Sequence, residues 1–97
     1  MMALALISVA AISCPATLQG RPLATVQVFD GPPREQADLE PDGRLWDLKA
    51  IRSTSSPEGF FLVCGYGGGH VVTLRLPRTV EACRREGSLA APRVACR

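Results

Sequence analysis

FFLVCGYGGGHVVTLRL, residues 60–76, decides the fold. Phe60-Phe61-Leu62-Val63-Cys64 is an unbroken apolar run bounded by turn formers, which suits a central β-strand buried on both faces. Gly67, Gly68 and Gly69 mark a turn, since glycine accepts the positive φ that tight reversals demand. The chain returns through residues 70–76, where alternation puts Val72, Leu74 and Leu76 inward. Pro77 has no N–H for a ladder and closes the strand. The stretch reads as an antiparallel hairpin at the centre of a small sheet.

Upstream, residues 23–29 (LATVQVF) alternate, with Ala24, Val26 and Val28 on one face and Thr25 and Gln27 on the other. Asp30-Gly31-Pro32-Pro33 breaks that strand, residues 33–39 have room for one or two helical turns, and Pro41-Asp42-Gly43 is a strong turn signal. Residues 45–51 (LWDLKAI) alternate again, placing Trp46, Leu48 and Ala50 opposite Asp47 and Lys49. Residues 53–59 are a polar loop. Downstream, weaker strands are expected around residues 80–85 and 93–96. The expectation is a mainly β protein: a small antiparallel sheet or partly closed barrel of five or six strands, with at most one short helix.

The four cysteines, Cys14, Cys64, Cys83 and Cys96, are an even set in a short chain and imply two disulfides. Four cysteines allow three connectivities, and spacing alone does not choose among them. Cys83–Cys96 is favoured because it spans the last hairpin, and Cys14–Cys64 follows by elimination. Residues 1–13 carry no charge, are almost wholly apolar, and are too short to cross a bilayer, which takes about 20 residues. They suit a secretory signal cut near residues 11–13, leaving residues 14–97 as one small disulfide-stapled domain with no stable membrane span. The Ala11-Ile12-Ser13-Cys14 step also loosely resembles a lipobox, which would anchor the chain through a lipidated Cys14. The usual leucine is missing there, and lipidation would strand one of the other three thiols.

The charge is +2 overall but uneven, with five basic and seven acidic residues in 1–60 and six and two in 61–97. Those late arginines form no dense basic patch and lack interleaved aromatics, so nucleic-acid binding is not expected. Cys64 and His70 are the residue types of a thiol nucleophile and its base, yet a disulfide-bonded Cys64 has no thiolate to offer. The glycines at 65 and 67–69 lack the Gly-Lys-Ser/Thr ending of a phosphate cradle. Asp38, Glu40, Asp42 and Asp47 lack the glycine and final glutamate of a calcium loop, and no CxxC pair suggests zinc. Trp46 and Tyr66 read as packing residues. The expectation is therefore no catalytic residue, no metal and no cofactor.

Cys14-Pro15, VFDGPP at residues 28–33, Leu39, Trp46, FLVCGY at 61–66, Leu74, Cys83 and the terminal VACR together resemble a family of small exported bacterial proteins. That family is known mainly under a locus-tag name beginning STY. The resemblance implies export and paired cysteines, and it implies no activity, because none is established for the family. The residues then point to a non-enzymatic protein-binding module, inhibitor- or immunity-like, in the bacterial periplasm or outside the cell, with a protein partner. An envelope structural or accessory component is the alternative. Recognition is expected on loops, first on residues 30–43 through Asp30, Arg34, Glu35 and Asp38, and second on residues 53–59.

Overall fold

Residues 11–97 are described by the computed structural model; the expected leader lies, up to residue 10, outside the described residues. A two-residue hairpin, β1 (Thr17–Leu18) and β2 (Arg21–Pro22), precedes β3 (Thr25–Asp30). A 3₁₀ turn at Pro33–Glu35 leads toward β4 (Leu45–Asp47), the helical turn α1 (Leu48–Ile51) and a second 3₁₀ turn at Arg52–Thr54. β5 (Phe60–Gly65), β6 (Val71–Arg75), β7 (Ala82–Gly87) and β8 (Pro92–Cys96) complete the order. Among the described residues these strands form three antiparallel sheets, β1-β2, β3-β5-β6 and β4-β7-β8. None closes into a barrel.

The hairpin of residues 60–76 sits where its composition put it, with β5 in the middle of its sheet. One face is core: Phe60, Leu62 and Cys64 are buried. On the other face Phe61 and Val63 are only half-buried, so the expectation of burial on both faces is corrected. The register explains it, because Val63 lies between Gln27 and Thr73, both exposed, so that among the described residues this side is only partly covered.

Residues 45–51 are a second correction. The strand stops at Asp47, whose side-chain carboxylate accepts a hydrogen bond from the Ala50 N–H at 3.2 Å and starts a helical turn. Asp as an N-cap satisfies a donor that a helix start otherwise leaves unpaired. Leu48 remains fully buried while Ala50, expected beside it, is exposed. The helical turns expected over residues 33–39 reduce to Pro33–Glu35, ended by Gln36 in the left-handed region at φ 58°. β1 and β2 fall in a stretch that reads as irregular, and their turn uses positive φ at both Gln19 and Gly20, the backbone of a type I′ hairpin.

Both disulfides join the favoured pairs, Cys14–Cys64 and Cys83–Cys96. Cys83 and Cys96 face each other directly in the β7–β8 register. The segment before Cys14 is stitched to the other sheet, since Ile12 and Cys96 exchange backbone hydrogen bonds of 2.9 and 2.8 Å. Three residues, 12–14, thus tie both larger sheets together. Their cluster includes Val26, Val28, Trp46, Leu48, Leu62 and Val94.

Tyr66 is buried, and its O–H donates to the Pro15 carbonyl at 2.7 Å. Tyr66→Phe leaves that carbonyl unpaired and is expected to cost about 1 kcal/mol, read as a lower urea midpoint. Desolvation by burial raises the Tyr66 pKa above its ordinary value. The folded state therefore holds this proton more tightly than the unfolded chain. The associated stability is present below the unfolded phenol's pKa and is lost as pH rises through the folded value.

Candidate functional site

Asp30-Gly31-Pro32-Pro33 does more than stop a strand. Gly31 has φ +88°, and a Cβ there would come within 2.8 Å of Glu35 Oε2 and 3.2 Å of the Ser56 side chain. Its N–H donates to the Gly59 carbonyl at 2.7 Å, and Asp30 Oδ1 accepts from the Ser56 N–H at 2.7 Å. The two loops expected separately, residues 30–43 and 53–59, are consequently one surface. Arg34 reaches across it to Glu58 at 3.9 Å, with both side chains largely in solvent.

Farther along, the loop runs beside the outer edge of β3. Asp30 N–H donates to the Ala37 carbonyl and Leu39 N–H to the Val28 carbonyl, both at 2.9 Å. Trp46 Nε1–H donates to the Leu39 carbonyl at 2.9 Å and anchors the far end. Held at both ends, the loop offers Arg34, Glu35 and Asp38 to solvent, with Asp38 accepting only a 3.5 Å bond from Gln27. Of the four residues singled out by sequence, Asp30 alone is half-buried, and its carboxylate joins the two loops.

The packing residues behave as expected. Trp46 is buried with the Arg85 guanidinium 5.3 Å from its ring centroid, and Tyr66 is buried beneath Pro15. Cys64 is in the disulfide with Cys14, and His70 closes the glycine turn through its backbone, with its N–H on the Gly67 carbonyl. Among the described residues no cluster of His, Cys, Asp and Glu is arranged to hold a metal, and no helix is long and apolar enough to cross a membrane.

Sequence reading passed over Arg52 and Arg78. Arg52 Nη2 donates to the Val80 carbonyl and Arg78 Nη2 to the Pro57 carbonyl, the latter at 2.9 Å. The two line a cavity of about 220 Å³ with Phe60 and Leu76. No local signal marks the pair. Their segments are brought together by the long-range β5–β6 pairing, which ends with Leu76 N–H on the Phe60 carbonyl.

Comparison with known families matches residues 16–97 to a family described as type VI secretion system Tli immunity protein. No curated protein and no solved structure matches the chain.

Proposed function

The chain belongs to the type VI secretion system Tli immunity protein family, and from that membership we propose that it neutralises a type VI toxin by binding it. The family match over residues 16–97 carries this reading, because it includes both loops and all three sheets. Binding without catalysis accords with the residues present, where surface groups are presented on a stapled scaffold and the four thiols are consumed in disulfides.

The reading places the mature protein in the periplasm or outside the cell, after removal of the leader by a cut just before Ile12, whose backbone pairs with Cys96. Disulfides persist in such oxidising compartments, and two of them here hold a chain with a small core. The same bond supports the unlipidated form, because a thioether on Cys14 needs the sulfur that Cys64 holds. The resemblance of the DGPP and VCGY stretches to exported proteins points the same way.

The toxin-facing surface in this account is the joined pair of loops, with Arg34, Glu35 and Asp38 as contact residues and Asp30 as the brace. A loop already fixed at both ends loses little conformational entropy on binding. The test is co-production with the type VI toxin directed to the periplasm. Wild-type protein is expected to restore growth, while co-fractionation with membranes without rescue would favour the envelope accessory role. The triple variant Arg34→Ala, Glu35→Ala, Asp38→Ala is expected to keep its stability within about 0.5 kcal/mol, since all three are exposed. Its affinity for the toxin is expected to fall at least about tenfold. Unchanged affinity would make the loop scaffolding.

A further inference from the structure

The cavity between the second loop and the end of β6 has a chemistry of its own. Arg52 and Arg78 line it, and its other lining residues include no Asp or Glu. Neither arginine belongs to an ion pair among the described residues, where Arg34–Glu58 and Lys49–Glu81 are the pairs formed. Each guanidinium is steadied by one backbone carbonyl, Val80 for Arg52 and Pro57 for Arg78. Guanidinium carries five N–H donors, so most remain available to a bound group. Phe60 and Leu76, both buried, contribute an apolar wall, and a low local dielectric strengthens a charged contact made against it.

We propose that this cavity receives a carboxylate side chain, Asp or Glu, from the toxin; the proposal rests on the immunity reading and adds the chemistry of the contact. Arginine's planar fork matches a carboxylate in bidentate geometry, which gives direction as well as attraction. Size agrees: about 220 Å³ is below the roughly 300–1,000 Å³ usual for small-molecule sites and suits one inserted side chain. Position agrees too, because the Asp30–Ser56 bond sets this cavity beside the exposed Arg34 and Glu35. Three larger clefts, of about 330, 500 and 260 Å³, carry less, the last because Glu86 lines it beside Arg93. In the first, Arg85 is already engaged over the Trp46 ring and by the Val26 carbonyl, and the second offers only Arg93 as a charged group.

Two peptides test the proposal without the toxin: acetyl-Ala-Glu-Leu-amide and its Ala-Gln-Leu counterpart, both free of terminal charge. In nitrogen-15-labelled protein the Glu peptide is expected to shift the signals of Arg52, Ser56, Phe60, Leu76 and Arg78. The Gln peptide should bind at least about tenfold more weakly, as loss of a charge-assisted pair requires. Arg78→Glu, an exposed substitution whose fold is checked by thermal melting, should abolish the response and weaken toxin binding at least about tenfold. Equal responses to the two peptides, or none, overturn the proposal. So does unchanged toxin affinity in Arg78→Glu, which would leave the immunity reading standing. Peptide selectivity in a protein that neutralises no toxin would overturn the immunity reading instead.

Discussion

Replacing Cys14 and Cys64 together with alanine is expected to leave most of the protein unfolded at physiological temperature. The bond closes a loop with a sequence separation of 50, and chain entropy assigns such a cross-link about 4 kcal/mol. Small domains have only about 5–15 kcal/mol in total. Geometry adds to the loss, because Cys14 follows Ile12, whose backbone is paired with Cys96 in the other sheet. Cutting the bond at Cys64 releases a segment that ties the two larger sheets together. The corresponding Cys83→Ala, Cys96→Ala variant removes a bond that closes a shorter loop, with a separation of 13, and should lose about 3 kcal/mol. Its two strands keep their ladder, so it should melt higher than the first variant. Thermal unfolding of both under non-reducing conditions checks the order, and a reversed order would contradict the role given to residues 12–14.

Trp46→Ala is the largest single-residue effect, expected at about 3–5 kcal/mol. The side chain is 3% exposed and packs between the helical turn and the loop of residues 30–43. Three losses coincide: the buried ring, the Nε1–H bond to the Leu39 carbonyl, and the platform under Arg85. An orphaned partly buried carbonyl accounts for about 1–3 kcal/mol by itself. Trp46→Phe restores most of the ring but not the N–H, so its destabilisation should fall between wild type and alanine. Guanidinium denaturation of the three proteins measures this. A change below about 1 kcal/mol for the alanine variant would place Trp46 outside the core that positions the loop.

Legibility in the sequence followed how local each signal is. The hairpin of residues 60–76 carries its own evidence, an apolar run, three glycines and a return strand, and it stands where composition put it. Cys83 and Cys96 flank a turn symmetrically, so their pairing was readable as a hairpin cross-link. Residues 45–51 defeated periodicity because Leu48 is buried under either period. The Asp47 carboxylate on the Ala50 N–H decides for the helix, and side-chain capping is invisible to alternation. The β1–β2 hairpin was hidden by Gln19, which holds a left-handed conformation that Asn or Asp more often announces.

The candidate site shows the same division. Exposure of Arg34, Glu35 and Asp38 followed from their type and their place between turn signals. Union of the two loops did not, because it depends on the long-range pairing of Asp30 with Phe60. Once β3 and β5 run antiparallel in that register, the chain leaving Asp30 and the chain entering Phe60 must share one end of the sheet. Arg52 and Arg78 are brought together by the same logic applied to β5 and β6.

Titration calorimetry of the purified, disulfide-bonded protein with the type VI toxin proposed as its partner tests the central claim most directly. The account predicts a saturable one-to-one complex of sub-micromolar affinity that abolishes the toxin's activity and weakens at least about tenfold in the Arg34, Glu35 and Asp38 alanine variant. Absence of binding, with the toxin fully active beside an excess of folded protein, would contradict it.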